Sequence, residues 1–396
     1  MSDFPPIRTV SIIGAGVMGR GIALVNLRAG LRVLISDINR ELAVNSVTQI
    51  LQELRASPYP ITPLTDQSEP PAITVVFDDS EIATADLILE TITENIDIKS
   101  SLFTRIEPYL CSHSIVVTNS SSIPITRLAA SLKDPSRFCG LHFCHPVSER
   151  RLVELVPGAL TDFGVLSRVS QYATEIGMAP IVVRDGPGFL LNRILTPYLN
   201  EALELLLEGV SVEALDQSAL EFGMPLGPLA HLDEFGIDVA LAVGRTLYFA
   251  FPDRIAPSEL LIAVYKSGRW GRKSGTGFYE ASPDGNHRRL APGINQMISE
   301  RQRSDQRFTS CEITQRLFLP MLLEATRVLE EGLVESPIIV DTALRNGLGM
   351  TGSHDGLFHW ADSIGSATIL EWLKPLRSLG RRFEPTQRLL TQTHGG

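Results

Sequence analysis

The stretch "GLHFCHPV", residues 140–147, places two histidines and a cysteine close together. Such groups could ligate a metal, act as a general acid–base, or simply fill a buried strand. Along an extended strand side chains alternate between faces, so His142 and Cys144 share one face. Cys139 and His145 take the other face. Ligands divided in this way cannot close a tetrahedral zinc site, so we expect no metal here, and acid–base chemistry and a structural histidine stay open.

A carboxylate further along the chain favours acid–base chemistry at His142. Glu154 is the single acidic residue in the apolar run "LVELV". A buried carboxylate needs a partner, and an imidazolium is a good one. A histidine held by a carboxylate is a common arrangement of an oriented general base. His142 and Glu154 are therefore a candidate catalytic pair.

A glycine-rich loop near the start of the chain is typical of dinucleotide binding. It has the pattern G-x-G-x-x-G, follows a β-branched run at residues 9–13 and precedes apolar positions that predict a helix. The first glycine permits a tight turn, the second lets a pyrophosphate approach the backbone, and the third lets the helix pack closely. The pyrophosphate would lie at the helix N-terminus, where backbone N–H groups are unpaired. The predicted loop residues are Gly14, Ala15, Gly16, Val17, Met18 and Gly19.

Asp37 predicts which dinucleotide is bound. It follows the next apolar run, residues 31–35, and lies 23 residues after Gly14. A carboxylate at this place accepts a hydrogen bond from a ribose 2′-hydroxyl and repels a 2′-phosphate. The spacing therefore favours NAD over NADP.

The elements that must position these residues alternate between strands and helices. Further strand-like runs cover residues 73–77, 87–90, 115–118, 138–143 and 181–183, and helical stretches such as 41–55 and 98–109 separate most of them. This alternation predicts an α/β fold with a Rossmann-type, doubly wound, mostly parallel sheet. Ligands of such sheets bind beyond the carboxyl ends of the strands. Glu94, residues 119–122 and His142 all follow apolar runs, so we expect them at the cofactor crevice.

The second half of the chain contains a repeat. Helical stretches beginning at Asn192 and Gln315 match at a constant spacing of 123 residues, as from Arg193 to Arg316. We therefore expect two related all-α C-terminal domains that pack as a pseudo-symmetric pair and keep the chain monomeric. The predicted boundaries are a dinucleotide-binding domain over 1–185, helical domains over 186–282 and 310–396, and a linker over 283–309.

Composition excludes several classes of function. The net charge of −10 argues against a nucleic-acid binder, whose affinity comes from clustered Lys and Arg. We expect no membrane span, since no apolar run is long enough. Four cysteines without regular spacing fit reduced thiols in the cytoplasm.

Five segments together resemble the 3-hydroxyacyl-CoA dehydrogenases. They are "GAGVMGRGIA", "TNSSSIPITRLA", "GLHFCHPVSERRLVELV", "DGPGFLLNRIL" and "GRKSGTGFY", in the order and spacing of that family. The two helical copies are similar to the C-terminal part of multifunctional fatty-acid β-oxidation enzymes, whose hydratase half we do not expect here. The resemblance implies NAD-dependent oxidation of a 3-hydroxyacyl-CoA to the 3-ketoacyl thioester, or the reverse reduction.

The resemblance also implies roles for single residues. It makes His142 and Glu154 the catalytic dyad, and it assigns Ser121 and Asn192 to the substrate oxygen. The cofactor contacts that it implies are Met18, Asp37, Glu94, Lys99 and Ser121, with Asn119 in the same crevice. His145 stands where the family more often has an Asn beside the nicotinamide.

Two alternatives to a free acyl-CoA substrate remain. Residues 41–98 contain no lysine, whereas relatives usually carry basic residues there for the CoA phosphates. An acyl group on a carrier protein, or a small hydroxy acid, is one alternative, unless arginines supply the charge. The other is a non-catalytic NAD-binding subunit or sensor, against which the His142–Glu154 spacing argues.

Overall fold

The computed structural model describes residues 5–56, 72–280, 289–352 and 356–391. The chain divides into two compact units, Met1–Phe189 and Leu190–Gly396. The first unit carries the sheet and the second is built from helices. In the described ranges, every helix is too short or too polar to span a bilayer.

The described part of the first unit forms one eight-stranded sheet. Its strands are β1 Thr9–Ile13, β2 Arg32–Ser36, β3 Ile73–Val75, β4 Leu87–Glu90, β5 Ile115–Thr118, β6 Phe138–Phe143, β7 Leu152–Pro157 and β8 Ala179–Val182. They lie in the order β3-β2-β1-β4-β5-β6-β7-β8. Each neighbouring pair is parallel except β6 and β7, which run antiparallel. This is the Rossmann-type order, in which a ligand crevice forms where the strand order reverses beside β1.

Helices cover the sheet. Those of the first unit are α1 Val17–Arg28, α2 Arg40–Ala56, α3 Asp79–Ile82, α4 Ile96–Ile106, α5 Ile125–Ala129 and α6 Phe163–Glu175. The central strands β4, β5 and β6 are buried at every position, as expected for parallel strands with helices on both faces. The predicted α/β fold is therefore confirmed.

The second unit holds the remaining helices. They are α7 Leu191–Leu207, α8 Val212–Phe222, α9 Pro228–Phe235, α10 Ile237–Ala250, α11 Glu259–Lys266, α12 Ile294–Ser299, α13 Ser310–Glu330, α14 Pro337–Ala343, α15 Leu357–Ile364, α16 Ser366–Leu376 and α17 Gln387–Thr391. The two sequence copies begin with α7 and α13, which pack against each other. The expected pairing of the copies is thus present within one chain.

Ion pairs of two buried arginines join α7 and α13 reciprocally. Arg193 of α7 donates to Glu324 of α13 at 2.8 Å and to Glu331 at 2.7 Å. At the equivalent positions, Arg316 of α13 donates to Glu201 and, at 2.8 Å, to Glu208. Each copy therefore supplies the arginine that the acidic residues of the other copy require.

The predicted linker is more ordered than its polar composition indicates. Residues 283–288 lie outside the described residues, but α12 falls in the rest. Further on, the N–H of Arg303 donates to the carbonyl of Leu207 at 2.7 Å, and Gln306 donates to Glu208 at 3.1 Å. These bonds satisfy carbonyls at the C-terminus of α7 and hold the segment against it. The predicted domain boundaries stay predictions.

Candidate active site

His142 and Glu154 are direct partners across the antiparallel strands β6 and β7. The two residues are opposite in register, so their side chains lie on the same face of the sheet. The Nδ1 atom of His142 is 2.6 Å from Oε2 of Glu154, and both residues are buried. An ionised carboxylate only accepts hydrogen bonds, so beside one Nδ1 is the donor, and in a neutral imidazole Nε2 is then the acceptor. The pair has the geometry of an oriented general base.

An aromatic ring that the sequence did not indicate packs beside His142. The ring centroids of His142 and Phe189 are 5.9 Å apart, and Phe189 is fully buried. Phe189 has φ of +49°, a left-handed conformation that costs a non-glycine residue about 1–3 kcal/mol. Its neighbour Gly188 also has positive φ. In the sequence, the segment that contains Phe189, "DGPGFLLNRIL", contributed only to the family resemblance and gave no indication of its contact with His142.

Asn119 connects the ends of two strands. Its side-chain oxygen accepts a hydrogen bond from the N–H of Phe143 at 2.8 Å. That bond fixes the loop after β5 to the end of β6, one residue beyond His142. Asn119, which the sequence predicted at the cofactor, thus has a positioning role in this structure.

Glu94 holds the serine turn in place. Its Oε1 atom accepts from the hydroxyl of Ser120 at 2.7 Å and from the N–H groups of Ser121 and Ser122 at 2.9 and 2.8 Å. Burial alone would raise the pKa of Glu94, but the ammonium of Lys99 and the serine hydrogen bonds outweigh it and lower this pKa. The carboxylate is therefore kept charged, and the turn carrying Ser121 is built around it. Glu94 thus contacts residues 120–122, and the convergence of these residues on a cofactor crevice stays a prediction.

Lys99 lies beneath the same turn. Its ammonium is fully buried and is 2.6 Å from Oε1 of Glu90 and 3.6 Å from Oε2 of Glu94. Glu90 also accepts from the hydroxyl of Thr118 at 2.5 Å. Glu90 was missed in the sequence, although a carboxylate closing the buried run "LILE" signals a partner. In this geometry the ammonium of Lys99 partly balances the charge of two carboxylates, those of Glu90 and Glu94.

The glycine loop fits a dinucleotide. A Cβ at Gly16 would meet nothing within 4 Å, so a pyrophosphate has room to approach this backbone. A Cβ at Gly19 would lie 1.8 Å from the carbonyl oxygen of Gly14, which explains the close packing of α1 on the loop. The N-cap residue of α1 is Gly16, which has no side chain to cap the helix, so the first N–H groups of α1 are placed to bind a phosphate.

Asp37 lies at the end of β2 beside this loop. One carboxylate oxygen accepts from the N–H of Ala15 at 2.9 Å, and the other from the N–H of Asn39 at 2.9 Å. The first bond orders the glycine loop. A carboxylate oxygen has capacity for a further donor such as a ribose hydroxyl, so the residue suits both roles.

Asp185 is, like Glu90, a hydrogen-bonding partner that the sequence analysis missed. Its carboxylate accepts from the N–H groups of Ile125 and Thr126 at 2.7 and 2.8 Å. These are the first two residues of α5, so Asp185 fixes the helix that follows the serine turn. Asp185 is 60 residues from Ile125 and 59 from Thr126 in the chain, a separation that local patterns do not reveal.

Three further predicted residues are placed as follows. Met18 is partly buried and packs against the hydrophobic core of the first unit. His145 lies past the end of β6 and is half-buried. Asn192 is the second residue of α7 in the second unit and is buried.

Comparison with known families identifies both units. The model of the 3-hydroxyacyl-CoA dehydrogenase NAD binding domain matches residues 9–186. The model of the 3-hydroxyacyl-CoA dehydrogenase C-terminal domain matches residues 188–281 and residues 313–393. The two segments of the second match correspond to the two helical copies.

Solved structures agree with these matches. (S)-3-hydroxybutyryl-CoA dehydrogenase from Ralstonia eutropha is 34% identical, with a TM-score of 0.59, over 70% of this chain and 99% of that one. 3-hydroxybutyryl-CoA dehydrogenase from Escherichia coli is 24% identical, with a TM-score of 0.78, over 98% of this chain and 99% of its own. The dehydrogenase part of multifunctional enzyme 1 from C. elegans is 23% identical, with a TM-score of 0.65, over 98% and 90%. The last two likenesses show a shared fold that extends over nearly the whole chain.

Proposed function

Since the chain belongs to the 3-hydroxyacyl-CoA dehydrogenase family, we propose that it oxidises a 3-hydroxyacyl-CoA to the 3-ketoacyl-CoA with NAD, and catalyses the reverse reduction. The observation that carries the proposal is the buried His142–Glu154 pair, joined at 2.6 Å in the same unit as the glycine loop. A protein that only bound NAD would need the loop but not this pair.

His142 is the general base in the proposed reaction. Its Nε2 atom takes the proton of the 3-hydroxyl group while the hydride leaves the same carbon, which becomes the ketone. NAD, when bound, supplies the hydride acceptor. In the reverse direction the imidazolium returns the proton to the carbonyl oxygen. An imidazole suits both directions because it changes charge near neutral pH.

Neighbouring groups support the change in charge. Glu154 stabilises the imidazolium that forms on His142, because a carboxylate in a buried site interacts strongly with a nearby cation. Ser121 and Asn192 donate hydrogen bonds to the substrate oxygen as its charge develops. Support for Ser121 comes from the turn in which Glu94 accepts its backbone N–H.

The cofactor is held by the residues predicted from the sequence. Gly14 to Gly19 at the start of α1 would hold the pyrophosphate, and Asp37 would accept a hydrogen bond from the adenosine ribose. His145 would lie beside the nicotinamide. The crevice is shaped by residues that order its surrounding loops through hydrogen bonds and an ion pair: Glu94, Asn119 and Lys99.

The direct test is oxidation of NADH with acetoacetyl-CoA, followed by absorbance. We expect turnover by the wild type and little by His142→Gln. Turnover only with a carrier-protein thioester or a small keto acid would replace the proposed substrate. NADH binding by fluorescence without turnover of any β-ketoacyl thioester would indicate a sensor and reject the proposal.

We also propose that the protein is a cytoplasmic monomer. Its four cysteines are free thiols, as expected in a reducing compartment. The reciprocal ion pairs join α7 and α13 within one chain. The face of α7 that α13 covers would otherwise need a second subunit to cover it.

A further inference from the structure

Glu90 is a buried carboxylate that the proposed reaction leaves unused. It is the last residue of β4, and 0% of its surface is exposed. In the sheet it stands in register with Ile13 of β1 and Thr118 of β5. The segments that follow these three strands are the glycine loop, the loop with Glu94, and the serine turn, Ser120–Ser122. A buried carboxylate is costly unless it is paired and hydrogen-bonded, so its contacts show what it holds in place.

Both oxygens of Glu90 are used. Oε1 accepts from the ammonium of Lys99 and from the N–H of Ile92, both at 2.6 Å. Oε2 accepts from the hydroxyl of Thr118 at 2.5 Å. The ammonium of Lys99 also donates to the carbonyl of Ile92 at 3.3 Å. Glu90 thereby joins α4, the loop after β4 and the end of β5.

Two paths lead from Glu90 to the serine turn. The hydroxyl of Thr118, which donates to Glu90, also accepts from the N–H of Ser120 at 3.1 Å. On the other path, the ammonium of Lys99 is 3.6 Å from Oε2 of Glu94, whose other oxygen holds the turn. Both paths start at the carboxylate of Glu90.

The position of the ammonium depends on Glu90. Lys99 is shared by two carboxylates and lies nearer to Glu90, at 2.6 Å, than to Glu94, at 3.6 Å. The longer distance is beyond hydrogen-bonding range, so Glu94 is attracted by the ammonium but not bonded to it. Without the charge of Glu90, the ammonium would move to Glu94, because attraction between buried charges is strong. It would then pull this carboxylate away from the N–H groups of the serine turn.

We propose that Glu90 is a positioning residue that sets the geometry of the serine turn through Lys99 and Thr118. The inference rests on the proposed function, in which Ser121 donates a hydrogen bond to the substrate oxygen. Glu90 itself is fully buried and touches neither substrate nor cofactor. Lys99, which is 1% exposed, acts in the same indirect way, as a counter-ion and not as a contact of the cofactor.

Amide hydrogen exchange tests the geometry without any substrate. In Glu90→Gln, which removes the charge and one acceptor, the N–H groups of Ser121 and Ser122 should exchange about tenfold faster than in the wild type. The readout is mass spectrometry of a peptide spanning residues 119–123. Exchange of β6, Phe138–Phe143, should stay as in the wild type and serves as the internal reference.

Variants of Thr118 test the second path. Thr118→Val keeps the branched shape but has no hydroxyl, so it should also speed the exchange of residues 119–123. Thr118→Ser keeps the hydroxyl and should restore the exchange towards the wild-type rate. Unchanged exchange of residues 119–123 in both Glu90→Gln and Thr118→Val would overturn the inference.

Kinetics test the consequence for the reaction. With acetoacetyl-CoA and NADH, kcat of Glu90→Gln should fall by about 10- to 100-fold, since a small misplacement of a positioned group is costly. The Kd for NADH should change far less, because the glycine loop and Asp37 are intact. Glu324→Gln is the matched control, as the same change at a buried, ion-paired glutamate of the second unit. In its folded state it should keep the wild-type kcat and the wild-type exchange of residues 119–123.

The outcomes separate the two proposals. Turnover by the wild type with an equal kcat in Glu90→Gln would overturn the positioning role alone. No turnover of any thioester by the wild type would reject the proposed function, and exchange of residues 119–123 would still decide whether Glu90 positions the turn. Should Glu90→Gln fail to fold, as judged by circular dichroism, the same measurements on Thr118→Val and Thr118→Ser decide the matter.

Discussion

The hydrogen bond between His142 and Glu154 defines which atom of the imidazole is available for catalysis. His142→Gln keeps a polar side chain of similar reach but cannot take the hydroxyl proton. We expect kcat to fall by about 10²- to 10⁴-fold, the usual contribution of a general acid–base, with the Kd for NADH nearly unchanged. Steady-state kinetics and NADH fluorescence measure the two quantities.

The neighbouring histidine is the control for this prediction. His145 lies past the end of β6. His145→Asn introduces the residue more common in the family and should reduce kcat far less than His142→Gln. If it were the more damaging change, the assignment of the base would be reversed.

We expect Asp37 to control cofactor choice through its single charge. Asp37→Ala removes both the acceptor for the 2′-hydroxyl and the repulsion of a 2′-phosphate, so the ratio of kcat/KM for NADH to that for NADPH should fall. The loss of the acceptor for the Ala15 N–H also loosens the loop and should raise KM for both cofactors. Asp37→Asn is the matched control, because it keeps an acceptor oxygen and removes only the charge. Equal wild-type kcat/KM for both cofactors would show that Asp37 is not at the ribose.

At the scale of elements, two glycines of the glycine loop have different roles. Gly19 permits the close packing of α1, and Gly16 leaves space for the pyrophosphate of the cofactor. Gly19→Ala would place a Cβ 1.8 Å from the carbonyl oxygen of Gly14, so α1 must move and the melting temperature should fall by several degrees. Gly16→Ala meets open space and should leave the melting temperature nearly unchanged. It should instead weaken NADH binding, because the methyl group occupies the approach of the pyrophosphate. Calorimetry and NADH titration of both variants test this, and equal loss of stability in both would contradict it.

The sheet could be predicted because its strands are locally encoded. The bounds of β1, β4, β5 and β6 agree with the apolar runs, since parallel strands buried on both faces are continuously hydrophobic. β2 begins one residue later than predicted, and the run at 181–183 begins earlier, at Ala179. Strand ends depend on pairing with a neighbour, which a single sequence does not display.

The site was predictable only in part. Glu94 and the serine turn were expected together because both follow strands of one sheet. The partners Glu90 and Asp185 were missed, because their contacts join residues far apart in the chain. The left-handed Phe189 was missed as well, because glycine and not phenylalanine is the usual residue with positive φ.

At the scale of the whole molecule, the buried ion pairs predict acid sensitivity. Burial alone would raise the pKa of Glu324, but the guanidinium groups of Arg193, Arg254 and Arg327 outweigh it and lower this pKa. A carboxylate whose pKa is lowered on folding stabilises the protein above its unfolded pKa of about 4.3. That stability is lost as the pH falls through the folded value.

Glu324→Gln tests this linkage. It leaves buried arginines without their counter-charge and should lower the free energy of unfolding at pH 7 by about 3–5 kcal/mol. The difference from the wild type should shrink as the pH falls below about 4.3 and through the lowered folded pKa, because only below that pKa is the carboxylate protonated in both states. Glu371→Gln, which removes an exposed pair with Lys374, is the control and should change stability by less than about 1 kcal/mol. Denaturant unfolding across this pH range would contradict the linkage if the Glu324→Gln difference did not depend on pH.

Truncation of the chain before Ser310 removes the second helical copy and tests how the first copy then assembles. Arg193 would lose Glu324 and Glu331, and the apolar face of α7 that packs on α13 would be exposed. Glu324 and Glu331 are the equivalents of Glu201 and Glu208, so a second truncated chain offers Arg193 the same two partners.

A two-fold dimer of the truncated chain would therefore restore each ion pair and bury the apolar face. By light scattering at micromolar concentration, we expect the full chain to be a monomer and the truncated chain to be a dimer. Arg193→Glu in the truncated chain should oppose this dimer, since it places like charges against Glu201 and Glu208 in the partner copy. A truncated protein that remains a soluble monomer would mean that the second copy is not needed to cover the first.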